Sequence, residues 1–271
     1  MIDAHVHIWR LGRNGCTWPT PELDLIHHDH ALTDVAELVA GTGVGQVILV
    51  QSQPHDDDTP WLLAEAAASP LVAGVVGWLD HAVGGVGEKI AAFRERGPLV
   101  GLRMMAQDCP PGWLDDPVLH AQCAAMADAD IALDLLVRPQ HLPASARLGR
   151  LFPSLRMVVD HCAKPHVAAN GLAAWRKAMA PVADLPNMTC KLSGLITEAA
   201  PGAPMDVLAP YVEAAFDLFG PERLIWGSDW PVLNLNGAYR AWLDFARSMI
   251  PAAHQGAVFG GNARIFYKVT S

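Results

Sequence analysis

Eight short, β-rich apolar runs recur along the chain, each followed by a loop and an amphipathic stretch, and no other feature restricts the fold so tightly. The runs are Ile2–Ile8, Gln46–Gln51, Val72–Leu79, Val100–Met104, Ile131–Val137, Arg156–His161, Met188–Ser193 and Arg223–Gly227. Beyond the first, their starts lie roughly 25–35 residues apart, the length of a strand–helix unit. Parallel strands need such crossovers, and strands covered on both faces read as unbroken apolar runs. Eight units in 271 residues match the count and size of a closed (β/α)₈ TIM barrel. The expectation is therefore an α/β chain forming one domain over 1–271. An open doubly wound sheet is the alternative, and it should carry a Gly-rich turn after its first strand. Gly41-Thr42-Gly43-Val44-Gly45 instead precedes a strand, and its spacing misses the dinucleotide fingerprint.

Helical patterns fill the intervals. Thr33 to Val39 starts with a capping residue and has helical apolar spacing. Asp206 to Phe219 repeats Val207, Tyr211, Ala214, Ala215 and Leu218 and stops at Gly220, a C-cap signal. The first crossover is the exception. Trp9 to Leu32 holds Gly12, Gly15, Pro19 and Pro21 and no clear helix. A long loop after strand 1 lies on the barrel face where active sites form.

Composition narrows the partners. Lys+Arg number 19 against 28 Asp+Glu, a net charge of -9, which argues against nucleic acid and against an anionic membrane surface. No apolar run approaches the ~20 residues of a membrane helix. Asp3 and His5 stand where a signal peptide needs basic and then apolar residues. Five cysteines without a C-x-x-C pair read as reduced core fillers. A cytoplasmic protein with a small-molecule partner is expected, with a homo-oligomer left open.

Three motifs carry chemistry. In Asp3-Ala4-His5-Val6-His7, two histidines two residues apart on a strand share a face. Imidazole is the commonest side chain for a divalent metal such as zinc; the plainer reading is two hydrogen-bonded histidines on an edge strand. Val158-Val159-Asp160-His161 ends an apolar run in a histidine at the tip of strand 6, which alone would read as a solvated loop residue. Trp226-Gly227-Ser228-Asp229-Trp230-Pro231 ends strand 8 in a carboxylate, which alone would read as a helix N-cap. In a barrel, strands 1 and 8 are neighbours and strand 6 is close. His5, His7, His161 and Asp229 then gather on one rim as a metal or acid/base site.

With these motifs the sequence resembles the amidohydrolase superfamily, in the metal-dependent branch that holds the sugar-lactone and muconolactone-type lactonases. The resemblance runs through Ile2 to Trp9, Gly101-Leu102-Arg103, Asp160 to Pro165, Cys190 to Leu195, Phe219 to Leu224, Gly227 to Pro231 and Gly261-Asn262-Ala263. It implies a deformed TIM barrel in which His5, His7, His161 and Asp229 hold one divalent metal, often zinc, or work without metal as a polar cluster around the water. Two positions depart from the branch: Met104 where histidine is frequent, implying an altered pocket, and Ala163 where glycine is usual. Strand 4 offers no lysine to bridge a second ion.

The expected reaction is the opening of a lactone ester by water. Asp229 is the candidate base that takes the water's proton and returns it to the ring oxygen, with His161 beside it. Arg103 at the end of strand 4, Gln51 and Gln53 after strand 2, and Lys191 on strand 7 are candidate substrate ligands. Arg138 either pairs with Asp134 or touches substrate, and His27, His28 and His30 read as a solvated or lid-forming cluster. A metal-dependent decarboxylase and a non-catalytic binding barrel are the competing readings.

Overall fold

The computed structural model describes residues 1–80 and 84–269; the remaining five positions of the expected 1–271 span lie outside the described residues. Eight strands appear where the apolar runs lie: β1 Ile2–Val6, β2 Gln46–Val50, β3 Val72–Gly77, β4 Leu99–Met105, β5 Ala132–Leu136, β6 Met157–Val159, β7 Met188–Leu192 and β8 Leu224–Trp226. They pair in chain order, every pair parallel. β1 and β8 close the barrel through a parallel bridge between Val6 and Trp230. There the Asp229 N–H donates to the His5 carbonyl at 2.9 Å and the His7 N–H to the Trp230 carbonyl at 2.8 Å.

The principal helices follow the strands as α1 Leu32–Val39, α2 Asp58–Ala67, α3 Val86–Arg94, α4 Pro117–Asp128, α5 Leu142–Leu151, α6 Leu172–Ala183, α7 Ala209–Phe219 and α8 Tyr239–Met249, before two short ones, α9 Ala252–Gly256 and α10 Asn262–Tyr267. Outward strand residues such as Leu133, Leu135 and Leu192 form the shell core with the helices. Inward ones (Ile48, Val76, Val158, Ile225) form a second core at the barrel floor, plugged by Phe266 and Tyr267 of α10. α7 stops at Gly220, φ 69°, as the C-cap signal predicts. α1 differs: its N-cap is Ala31, not Thr33, and the Asp34 carboxylate accepts from the Ala31 N–H at 2.7 Å. One carboxylate in the first turn thus serves the orphan donor that Thr33, already inside the helix, cannot reach.

β1 breaks simple alternation. Ile2 and Ala4 face the floor core and Val6 the shell, and strict period-two geometry would send His5 outward with Val6's neighbours reversed. A register shift between Asp3 and Val6 intervenes. Such a bulge re-aims side chains, so His5 and His7 both face the interior. The crossover after β1 has no helix before α1, and Thr17 and Trp18 from it line the cavity at the barrel mouth.

Gly227 sits at the closing seam. A Cβ there would lie 2.8 Å from the His5 Cβ and 3.0 Å from its backbone nitrogen. Gly227→Ala is therefore expected to cost about 1–3 kcal/mol, the usual penalty for overpacking. Chemical denaturation measures it, and an unchanged midpoint would show that the seam tolerates a side chain.

Candidate active site

Each ligand-type side chain is delivered by a strand end. His5 and His7 leave β1, His161 follows β6, and Asp229 follows β8 with a φ of 62°. Their polar atoms converge. His5 Nε2 lies 3.2 Å from His7 Nε2. Asp229 Oδ1 lies 3.4 Å from His7 Nε2, 3.8 Å from His5 Nε2 and 3.8 Å from His161 Nε2. His5, His161 and Asp229 are close enough to share one ion, with His7 against both His5 and Asp229.

The donor set fits a divalent cation. Four ligands at zinc–nitrogen and zinc–oxygen bond lengths stand about 3.3 Å apart along the edges of a tetrahedron. His7 Nδ1 faces the Val50 carbonyl at 2.7 Å. A carbonyl only accepts, so Nδ1 carries a proton, and in the singly protonated ring the lone pair points from Nε2 at Asp229. Lone pair and carboxylate repel unless a proton or a cation lies between them. Fixing a ligand imidazole through its other nitrogen is how outer groups orient metal ligands. His161 is held likewise, its Nδ1 2.9 Å from the Ser193 hydroxyl. Burial pushes the His161 pKa down to about 4 and that of His5 well below its ordinary value, with Lys191 adding to the effect on His5. Both shifts favour the neutral imidazole, the charge state in which a histidine can ligate a metal; His5 offers Nε2 as a ligand in the tautomer whose Nδ1 proton faces Asp160, 3.5 Å away. Burial raises the Asp229 carboxyl, but the surrounding His161, His7 and His5 outweigh it and hold Asp229 below the ordinary carboxylate range.

Beneath the cluster lies a buried ionic layer. Lys191 Nζ bonds the Asp134 carboxylate and stands 3.2 Å from Asp160 Oδ1 and 3.1 Å from His5 Nδ1. Tyr267 donates its hydroxyl to Asp134 at 2.8 Å. Burial raises Asp134 to about 6 against the pull of Lys191. For Asp160, Lys191 and His5 outweigh burial and keep the carboxyl well below its ordinary value. His5, Asp134 and Asp160 form a second group of metal-ligand type, but the ammonium of Lys191 already sits among them.

The cavity has a volume of about 290 Å³ and is lined by His7, His161, Asp229, Arg103 and Lys164, with Trp18, Met105, Leu136 and Val232 as its apolar wall. Of the candidate substrate ligands only Arg103 lines it. Its guanidinium bonds the Gln51 carbonyl, lies 3.4 Å from Gln51 Oε1 and stands 3.7 Å from Asp160 Oδ2, so its donors are turned to the floor. Gln51 is buried against that guanidinium. Gln53 clasps the first crossover: its Oε1 accepts from the Thr17 N–H at 3.1 Å and its amide donates to the Trp18 carbonyl at 2.7 Å. Lys191 lies under His5, outside the lining. Met104 faces the shell core and Met105 takes the cavity side. Asp134 pairs with Lys191 rather than Arg138. In the first crossover, His30 packs its ring against Trp9 and Trp230, and His28 stacks on it at 4.1 Å. Sequence reading passed over Lys164 and the Ser193 support of His161; the signal for the first was a cation three residues beyond a strand-tip histidine.

A parallel barrel with imidazoles and a carboxylate at the carboxyl ends of its strands has the architecture of a barrel hydrolase. The chain belongs to the amidohydrolase family, whose pattern it matches over residues 2–269. It is 43% identical to an L-fucono-1,5-lactonase of Burkholderia ambifaria, over 99% of this chain and 95% of that one. It is 32% identical to an L-fucono-1,5-lactonase of Burkholderia multivorans, over 98% and 95% of the two chains. A crystal structure of an amidohydrolase from Burkholderia multivorans with bound zinc superposes with a TM-score of 0.92 at 33% identity, covering 99% of both chains.

The ionic layer generates a stability prediction. Lys191→Met leaves Asp134 buried without its cation and Asp160 with Arg103 alone, a change that typically costs about 3–5 kcal/mol. Urea unfolding of the variant measures it. A wild-type midpoint would mean that the carboxylates need no counter-charge from β7.

Proposed function

We propose that this protein is a lactonase that opens the ester ring of a sugar-acid lactone, of which L-fucono-1,5-lactone is the first candidate. The observation that carries the reading is the convergence of His5, His7, His161 and Asp229 at the head of a cavity of small-molecule size. The lactonase relatives, matched along almost their whole length, support the substrate class. The apolar wall of Met105, Leu136 and Val232 suits the methyl group of a 6-deoxy sugar. No helix among the described residues is long and apolar enough to cross a membrane.

His5, His7, His161 and Asp229 would hold one divalent ion, with zinc favoured by the nitrogen-rich donor set and by the zinc-bound neighbour. When bound, such an ion acidifies a water and polarises a carbonyl. The protein's own residues do the rest. Asp229, ionised and close to three imidazoles, takes a proton from the attacking water and gives it to the ring oxygen as the C–O bond breaks. The Val50 carbonyl and Ser193 keep the His7 and His161 rings turned to the cavity. Trp18, held over the mouth by Gln53, limits the entry of bulk water.

A pH-indicator assay over a panel of sugar lactones tests the reading. Turnover is expected, and Asp229→Asn should lower kcat by about 10²–10⁴-fold while the protein stays folded. Release of CO₂ from aromatic acids with no lactone opened would replace the lactonase by a decarboxylase. Near-normal turnover in Asp229→Asn would remove the proposed base.

A further inference from the structure

The turn that leaves β6 carries a cation, Lys164, that belongs neither to the His–Asp cluster nor to the ionic layer beneath it. His161, Cys162, Ala163 and Lys164 stand consecutively at φ values of 52°, 51°, 59° and 50°, one turn of left-handed helix. That conformation costs a residue with a Cβ roughly 1–2 kcal/mol. Strain of this kind persists only where the surroundings impose it, and it gathers at functional sites. Here the Trp175 indole donates to the Cys162 carbonyl at 2.6 Å and the Cys162 thiol to the Lys191 carbonyl at 3.4 Å. The Lys164 N–H donates to the His161 carbonyl at 2.8 Å. The middle residues, Cys162 and Ala163, are buried in the shell core. The outer two, His161 and Lys164, face the same cavity.

Lys164 differs from the other cations around the cluster. Arg103 is engaged by Gln51 and Asp160, and Lys191 by Asp134, Asp160 and His5. Among the described residues the Lys164 ammonium makes no hydrogen bond and no ion pair. It feels Asp229 and Glu198 as attraction and Arg138 and Arg103 as repulsion, and burial draws its pKa below the ordinary lysine value. Three donors on one mostly buried ammonium, open to the cavity beside the proposed base, lack only an acceptor. The substrate is the group that enters there.

We propose that Lys164 is a catalytic residue of lactone opening, donating a hydrogen bond to the carbonyl oxygen and holding the negative charge that gathers on it. The proposal rests on the lactonase reading above. The water oxygen bonds to the carbonyl carbon as the π pair moves to the carbonyl oxygen. That pair returns as the bond to the ring oxygen breaks, and Asp229 carries the water's proton to the departing oxygen. Lys164 keeps its own protons throughout, and the hydroxy acid formed ionises into solvent. A donor fixed where charge develops stabilises the transition state more than the ground state.

The test compares Lys164→Met, Lys164→Arg and Lys164→Ala on the lactone that the wild type opens fastest. Lys164→Met should lower kcat by about 10²–10³-fold, the usual cost of one such donor, with KM little changed and zinc uptake retained. Lys164→Arg should keep part of the rate. Folded Lys164→Ala should regain activity with added propylammonium, which a merely structural role would not allow. A kcat for Lys164→Met within about threefold of wild type, or a loss carried by KM alone, overturns the proposal while leaving the lactonase intact. So does a folded Lys164→Ala that ignores the amine. A wild type that opens no lactone overturns the functional reading and this proposal with it.

Discussion

The seam between the first and last strands is the constraint on which the rest depends. Two backbone hydrogen bonds, from the Asp229 N–H to the His5 carbonyl and from the His7 N–H to the Trp230 carbonyl, close the barrel. The residues that make this closure are the residues whose side chains meet inside it. Asp3 reinforces the joint, accepting from the Ser228 N–H at 2.8 Å and the His5 N–H at 3.2 Å. Burial pushes its carboxyl up to about 6. Closing the fold and assembling the site are therefore one event. A chain with β1 and β8 apart would have histidines without their carboxylate.

Below the seam, polar groups are buried in layers. The ammonium of Lys191 sits among Asp134, Asp160 and His5, and Tyr267 reaches up from the plug helix to Asp134. Buried ion pairs seldom add stability over a well-packed apolar substitute, because desolvation offsets their attraction. Their visible effect here is positional. They fix the far side of the His5 ring, as the Val50 carbonyl and Ser193 fix His7 and His161. The end of the chain, through Tyr267, is thereby joined by hydrogen bonds to the first histidine.

The architecture was legible because strands buried on both faces leave unbroken apolar runs, and all eight strands lie within a residue of those runs. The shared side of His5 and His7 was legible from their spacing. The bulge that turns both inward was not, since nothing in Asp3-Ala4-His5-Val6 marks a register shift. Position at a strand end proved a weak guide to side-chain destination. Gln53 follows β2 yet serves its neighbouring crossover, and Lys191 lies one layer too deep to reach the cavity. Met104 has the opposite parity from Arg103 and so packs outward. Lys164 left only the faint signal of its spacing from His161, because the left-handed turn that carries both into one cavity falls on residues with a Cβ, where positive φ is not expected.

On the proposed reading, β1, β6 and β8 bring four donors around one divalent ion. Calorimetric titration of chelator-stripped protein with Zn²⁺ tests it most directly. One ion per chain is expected, with affinity reduced at least about tenfold by Ser193→Ala, which loosens the ring of His161 without touching a ligand atom, and abolished by His161→Ala together with His7→Ala. Uptake of no ion by the wild type, or an affinity indifferent to the loss of both histidines, would contradict it.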